Sequence, residues 1–144
     1  MKAVVVQIGG GGLSSGIAIA IKETDPGIKV FGVEPAGACK MLPSIRAGKI
    51  VTIDKVDTIA DGLKPTRVEN LTFEVIAKYA DDVVTVSDEE ILSAMRHLVL
   101  REKLVVEPSG AASTAAILSG KLKLPEGPVV AILSGGNADL KLVV

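Results

Sequence analysis

Val4-Val5-Val6-Gln7-Ile8-Gly9-Gly10-Gly11-Gly12-Leu13-Ser14-Ser15-Gly16 runs from a β-branched apolar segment through four consecutive glycines into a stretch with helical spacing. That order describes a buried strand feeding a helix through a loop almost free of side chains. Four glycines let the backbone take positive φ and leave its N–H groups open to a ligand, at roughly 0.5–1 kcal/mol per glycine relative to alanine. Two readings account for them. One is an anion, most often phosphate, cradled by N–H groups at the positive end of the following helix. The other is a tight strand-to-helix turn with close packing. One or two glycines would satisfy the turn, so four in a row favour the anion.

Outward from this loop, residues 3–8 form the first expected strand and residues 13–24 a helix, with Leu13, Ile17, Ala20 and Ile21 at helical spacing. Asp25-Pro26-Gly27 stops that helix, and Lys29 to Glu34 is a second strand that should pair parallel through a right-handed crossover. A short helix is expected over 39–47, with Pro43 in its first turn. A short strand is expected at 50–53, then a loop with a turn at Asp61-Gly62. Helical spacing resumes over 68–79, and 82–86 is a strand. Ser87 and Glu90 form a capping box for a helix carrying Ile91, Met95, Leu98 and Val99 inward as far as Glu102. Residues 105–110 read as a connecting turn, 111–118 as a small-residue helix and 129–133 as the last strand, ending in Ser134-Gly135-Gly136-Asn137. The alternation gives an α/β fold: a three-layer, Rossmann-like, doubly wound, mostly parallel sheet of four to five strands.

Composition narrows the functional classes. The 144 residues are 48% hydrophobic but only 2% aromatic, so Val, Ile, Leu and Ala must fill the core, as they do in parallel sheets covered on both faces. A formal net charge of −1 gives no electrostatic reason to expect nucleic acid or an acidic membrane. Cys39 is the only cysteine and His97 the only histidine, which excludes a disulfide framework and a multi-cysteine metal cluster. No signal segment or apolar span is evident, and a cytoplasmic, reducing location is expected. Gln7 is the only glutamine, and Asn70 and Asn137 are the only asparagines, a scarcity common in heat-adapted proteins that also suits an idealised or engineered sequence.

In such folds ligands sit at the carboxyl ends of the strands. The glycine loop, Glu34 and Ser134-Gly135-Gly136-Asn137 all stand at strand ends. Ser134 and Asn137 offer neutral hydrogen-bonding groups there, although Ser-Gly-Gly-Asn also suits an ordinary turn. A dinucleotide site needs Gly-x-Gly-x-x-Gly and an acid about 20 residues on. Glu34 sits near the acid's place, but Ser14 or Ser15 occupies the third glycine's position. A phosphate loop of the Walker type fails, because no Lys-Ser or Lys-Thr follows the glycines. Asp88, Glu89 and Glu90 complement a helix dipole. His97 reads as a surface or packing residue and Cys39 as a half-buried apolar one. Glu107, between Val105-Val106 and Pro108-Ser109-Gly110, could serve either structure or a site.

Six motifs occur in order: Gly-Gly-Gly-Gly-Leu-Ser-Ser-Gly-Ile-Ala (9–18), Gly-Val-Glu-Pro (32–35), Thr-Ile-Ala-Asp-Gly-Leu (58–63), Asp-Asp-Val-Val-Thr-Val-Ser-Asp-Glu-Glu-Ile (81–91), Val-Val-Glu-Pro-Ser-Gly-Ala-Ala (105–112) and Leu-Ser-Gly-Gly-Asn (133–137). Together they resemble the C-terminal portion of the threonine dehydratase and serine racemase group, within the tryptophan-synthase-β-like (fold type II) pyridoxal-phosphate enzymes. The resemblance implies a single domain over 1–144, equivalent to most of the large, cofactor-phosphate domain. It makes Gly9, Gly10, Gly11, Gly12 and Leu13 the phosphate loop. Ser134 would be the partner of the pyridine nitrogen, Gly62 and Glu107 would lie near the ring, and Asn137 would be a further cofactor-binding residue. Some members hold a divalent metal at positions matching Glu34 and the carbonyl of Ala38. Here Lys40 stands where an aspartate is expected, and its ammonium can replace the metal's charge.

The group's Schiff-base lysine lies in an N-terminal Ser-x-Lys-x-Arg-Gly-type motif, followed by a Ser-Gly-Asn-His-type loop. Neither occurs in these residues. The resemblance therefore implies the phosphate-binding part of a threonine or serine ammonia-lyase, inactive alone, with weak or no pyridoxal-phosphate affinity. Two alternatives stand beside it. One is half of a split enzyme or assembly in which a partner chain, such as a complementing N-terminal half, supplies the lysine; self-association as a homo-oligomer is the other partner expected. The other is a nucleotide- or phosphate-binding regulatory module resting on Glu34.

Overall fold

A computed structural model describes residues 1–142. Four parallel strands, β1 (Ala3–Gln7), β2 (Lys29–Pro35), β3 (Asp82–Val86) and β4 (Val129–Ala131), form one sheet in the order β3-β2-β1-β4. The helices are α1 (Gly12–Thr24), α2 (Met41–Ala47), α3 (Asn70–Tyr79), α4 (Asp88–His97) and α5 (Pro108–Leu118). Every residue of β1 is buried, as expected of a central parallel strand covered on both faces.

Strand alternation divides the core in two. Ala3 and Val5 of β1 and Phe31 and Val33 of β2 face α4 and α5, where Ile91, Met95, Ala112 and Ala116 complete one apolar cluster. Val4, Ile8 and Val30 face α1, α2 and α3, packing with Ala18, Met41 and Ile76. By the same parity, Gln7 falls on the α5 side and Glu34 on the α2 side. That sidedness decides what each of these two polar residues can reach.

Several boundaries differ from the sequence expectation. Residues 50–53 form no strand: Val51 N–H donates to Ser44 Oγ (2.8 Å) and Ile53 N–H to Thr66 O (2.9 Å), so groups outside the sheet take these N–H groups, and among the described residues the sheet has four strands. The 105–110 segment is not wholly a turn. Glu107 occupies the N-cap position of α5 without a side-chain cap bond, and Pro108 starts the helix, where a missing N–H does no harm. Leu13 and Leu71, periodic in sequence, are exposed; α1 buries Ser14, Ser15 and Ala18 instead, and α3 buries Ile76. The Ser87–Glu90 capping box is present, with Glu90 N–H donating to Ser87 Oγ (3.2 Å) and Ser87 N–H to Glu90 Oε2 (2.7 Å). Past His97 the helix continues as a π turn, Leu98–Glu102. No helix among the described residues is long and apolar enough to cross a membrane.

Candidate functional site

The glycine loop leaves β1 at its carboxyl end and enters α1 through Gly11, which takes φ +95° as the helix N-cap. Ser15 N–H bonds Gly11 O at 2.8 Å. The N–H groups of Gly12, Leu13 and Ser14, the first turn of the helix, lack backbone partners among the described residues. They supply donors and the positive helix end together. From behind, Thr72 Oγ1 lies 3.0 Å from Gly10 O, and Ser15 Oγ lies 3.5 Å from Thr72 O, so α3 buttresses the loop.

Opposite the loop stands the turn Asp61–Leu63. A Cβ on Gly9 would lie 2.5 Å from Gly62 O, so these two backbones approach as closely as side chains would forbid. The turn is anchored twice. Gly62 N–H donates to Ser109 Oγ on α5 (2.8 Å), and Asp88 of α4 accepts from Thr58 Oγ1 (2.6 Å) and Ile59 N–H (3.0 Å). Asp88 therefore does more than complement a helix dipole, and Ser109 joins the site from a motif read as a turn.

The third wall follows β4. Gln7 Nε2 donates to Ser134 Oγ. Glu107 N–H donates to Gly135 O (3.2 Å), and Glu107 Oε2 accepts from Asn137 N–H (3.1 Å). Gly135 has φ +91°, and a Cβ there would meet the Glu107 carboxyl at 2.7 Å. Gly9, Gly10, Gly11, Gly12, Leu13, Gly62, Glu107 and Ser134 thus line one cleft of about 190 Å³, with Gln7 and Ser109 added to it. Asn137 lies in an adjoining cleft of about 310 Å³ that shares Glu107 and Ser109. The first cleft is smaller than the roughly 300–1,000 Å³ of sites that enclose a whole drug-sized ligand, so it has room for only one part of such a ligand and is open on one side.

Glu34 and Ala38 are elsewhere. The Glu34 carboxylate is fully buried on the α2 side of the sheet and accepts from the N–H groups of Lys40 (3.1 Å), Met41 (2.9 Å) and Leu42 (3.0 Å). With its oxygens occupied, it has none to offer a ribose, which removes the basis of the nucleotide-module reading. Lys40 Nζ lies 3.3 Å from Glu34 Oε1 and 3.1 Å from Ala38 O. Burial pulls the Lys40 pKa down, and Glu34 pushes it back. A divalent ion does not fit here, because the ammonium already sits among the oxygens that would ligate it. Among the described residues, no three His, Cys, Asp or Glu side chains gather as a metal site.

Neither Cys39 nor His97 lines the two clefts. Cys39 Sγ sits 3.5 Å from Glu34 Oε2, and burial, then that carboxylate, pushes its thiol pKa up to about 12. His97 is exposed beside Glu102 at 3.6 Å.

The family model for pyridoxal-phosphate dependent enzymes matches residues 1–135. The chain belongs to that family. Within it, the chain is 45% identical over 142 residues to a catabolic L-threonine dehydratase of Escherichia coli (strain K12), covering 97% of this chain and 43% of the relative. It is 43% identical over 141 residues to a serine racemase of Schizosaccharomyces pombe, covering 98% and 44% respectively. A solved structure of maize serine racemase superposes with a TM-score of 0.92 at 41% identity, covering 97% of this chain and 44% of that one. The chain therefore spans less than half the length of these relatives, and its fold is that of the type II members.

The cleft suits the phosphate end of the family's cofactor. A Cβ on Gly10 or Gly12 would meet no atom within 4 Å, so the loop presents bare backbone, and free N–H groups stand at the start of a 13-residue helix. Lys40 is singled out in the sequence only as a stand-in for a metal, and Gln7, Ser109 and Asp88 are not singled out there as site residues. Of these three, Gln7 carries a usable signal: a single amide inside an otherwise apolar strand.

Proposed function

We propose that this chain is the cofactor-phosphate part of an ammonia-lyase that acts on threonine or serine. The single observation that carries the reading is the glycine-lined cleft, in which free N–H groups at the start of α1 share the lining with the neutral hydroxyl of Ser134. In this reading the backbone of Gly9 to Leu13 holds the phosphate without a cationic side chain. Ser134 meets the ring nitrogen as a neutral hydrogen-bonding group. Glu107, held through Gly135 and Asn137, stands beside the ring with Gly62. Pyridoxal phosphate, when bound, supplies the electron sink for loss of water and then ammonia from a 3-hydroxy amino acid.

Chemistry of that kind also needs an amine to hold the cofactor covalently and move a proton. No lysine lines the cleft among the described residues. We therefore assign that lysine to residues outside this chain, as part of a longer polypeptide or of a complementing partner, and expect the 144 residues alone to be inactive. The open side of the cleft and the partial span of the relatives support this assignment.

Calorimetric titration with pyridoxal phosphate, inorganic phosphate and NAD tests the site. Pyridoxal phosphate should bind weakly in competition with phosphate, and NAD should not bind. Threonine should yield 2-oxobutanoate only after a fragment carrying the lysine is added. Binding of NAD alone would overturn the site reading. A borohydride-fixed cofactor adduct with threonine turnover by the chain alone would overturn its inactivity.

A further inference from the structure

Lys40 is among the largest side chains in the molecule with no solvent exposure, yet it does not line the glycine cleft. Its Nζ donates to three backbone carbonyls, Ala38 O at 3.1 Å, Leu63 O at 3.2 Å and Ile8 O at 3.3 Å, and lies 3.3 Å from Glu34 Oε1. An ammonium has three N–H groups, and each finds a carbonyl. The carboxylate supplies the compensating charge that a buried ammonium requires.

The origin of those carbonyls matters. Ile8 immediately precedes Gly9, and Leu63 immediately follows Gly62. Gly9 and Gly62 approach closely across the cleft, since a Cβ on Gly9 would lie 2.5 Å from Gly62 O. The ammonium therefore ties the phosphate loop to the facing turn from the rear, while Ala38 and Glu34 fix it to the α2 side of the sheet. A ring of carbonyls and one carboxylate is the donor set of a hard cation such as Ca²⁺, which binds its oxygens at about 2.3–2.6 Å. Here the separations of 3.1–3.3 Å are those of an ammonium.

We propose that Lys40 is a positioning residue: an internal cation that sets the spacing between the Ile8–Gly9 and Gly62–Leu63 walls and so makes the geometry of the cleft independent of any divalent metal. The consequence for phosphate affinity rests on the function proposed above; the clamp itself does not.

The test compares the wild-type chain with Lys40→Met, which keeps length and removes charge, and Lys40→Asp, which adds a carboxylate to the ring of oxygens. The wild type should show the same unfolding temperature in EDTA, Mg²⁺ or Ca²⁺. In Lys40→Met, amide hydrogen exchange should rise together at Gly9 and Gly62 while β2 stays protected, and phosphate or pyridoxal phosphate should bind about tenfold more weakly. Lys40→Asp should gain thermal stability on addition of Mg²⁺ or Ca²⁺, and Lys40→Met should not. A wild type stabilised by divalent ions overturns the proposal, as does a folded Lys40→Met with unchanged exchange at both glycines. If neither variant folds, metal independence of the wild type supports the proposal and metal dependence overturns it. If the wild type binds neither phosphate nor pyridoxal phosphate, the site reading fails, while the exchange and metal experiments still decide the role of Lys40.

Discussion

Gln7 and Ser134 are 127 residues apart in the chain, yet the amide Nε2 of one donates to the hydroxyl oxygen of the other where β1 and the chain leaving β4 meet. Gln7 Oε1, also buried, has no partner. Because the Ser134 oxygen receives a hydrogen from Gln7, its own O–H is left to donate into the cleft. Replacing Gln7 by Leu removes one hydrogen bond and one unsatisfied oxygen together, so unfolding free energy should change by no more than about 1 kcal/mol. Pyridoxal-phosphate affinity should fall a few-fold. Gln7→Glu should bind worse than Gln7→Leu, since a carboxylate would accept the Ser134 hydrogen. Equal binding by all three proteins would show that Gln7 does not orient the serine.

The four glycines are not equivalent. Gly9→Ala brings a methyl to within 2.5 Å of Gly62 O and must move backbone, so it should cost roughly 1–3 kcal/mol and weaken phosphate binding. Gly11→Ala should behave similarly, because φ is +95° and Thr72 Cβ would lie 2.7 Å away. Gly10→Ala meets nothing within 4 Å and should unfold in urea within about 0.5 kcal/mol of the wild type. A Gly9→Ala protein as stable and as tight-binding as Gly10→Ala would contradict the close approach of the two walls.

Cys39 should be chemically inert in the folded chain. With its thiol pKa raised to about 12 by burial and the neighbouring Glu34, almost no thiolate exists near neutral pH. Iodoacetamide should modify it slowly in buffer and fully in urea. Fast labelling of the native chain would be the contrary result.

Acid should weaken the fold partly through Asp81. Burial alone would raise its carboxyl, but hydrogen bonds from Lys22, Lys29 and Val30 N–H hold it below the ordinary value of 3.8. A depressed folded pKa means that the stabilisation is complete above the unfolded value and is lost as pH falls through the folded one. Asp81→Asn should therefore melt below the wild type at neutral pH, and the gap should narrow in acid. A gap of constant size down to the acid transition would assign the effect to something other than this carboxylate.

Much of the molecule was legible in one dimension. The β-branched run before the glycines, the capping box at Ser87 and the alternation of strands with helices are local patterns. Each is set by residues within one turn or one strand of each other, and their physics needs no partner from elsewhere. The start of α5 was also local but was misread, since Glu107-Pro108-Ser109-Gly110 looks like a turn until Pro108 is placed at the first helical position, where it belongs.

The sequence by itself determined a parallel α/β sheet, the glycine loop at the carboxyl end of its first strand, and, through six ordered motifs, the family. Only the tertiary structure decided which face each polar side chain took and which carbonyls met it. Parity along β1 and β2 sends Gln7 toward Ser134 and Glu34 toward α2, away from any ligand. Lys40 finds Ile8 O and Leu63 O only because three segments distant in the chain pack at one point. Spacing in a sequence records which residues share a face. Which distant backbone closes over a buried charge depends on how the faces stack, and that is settled when the layers pack.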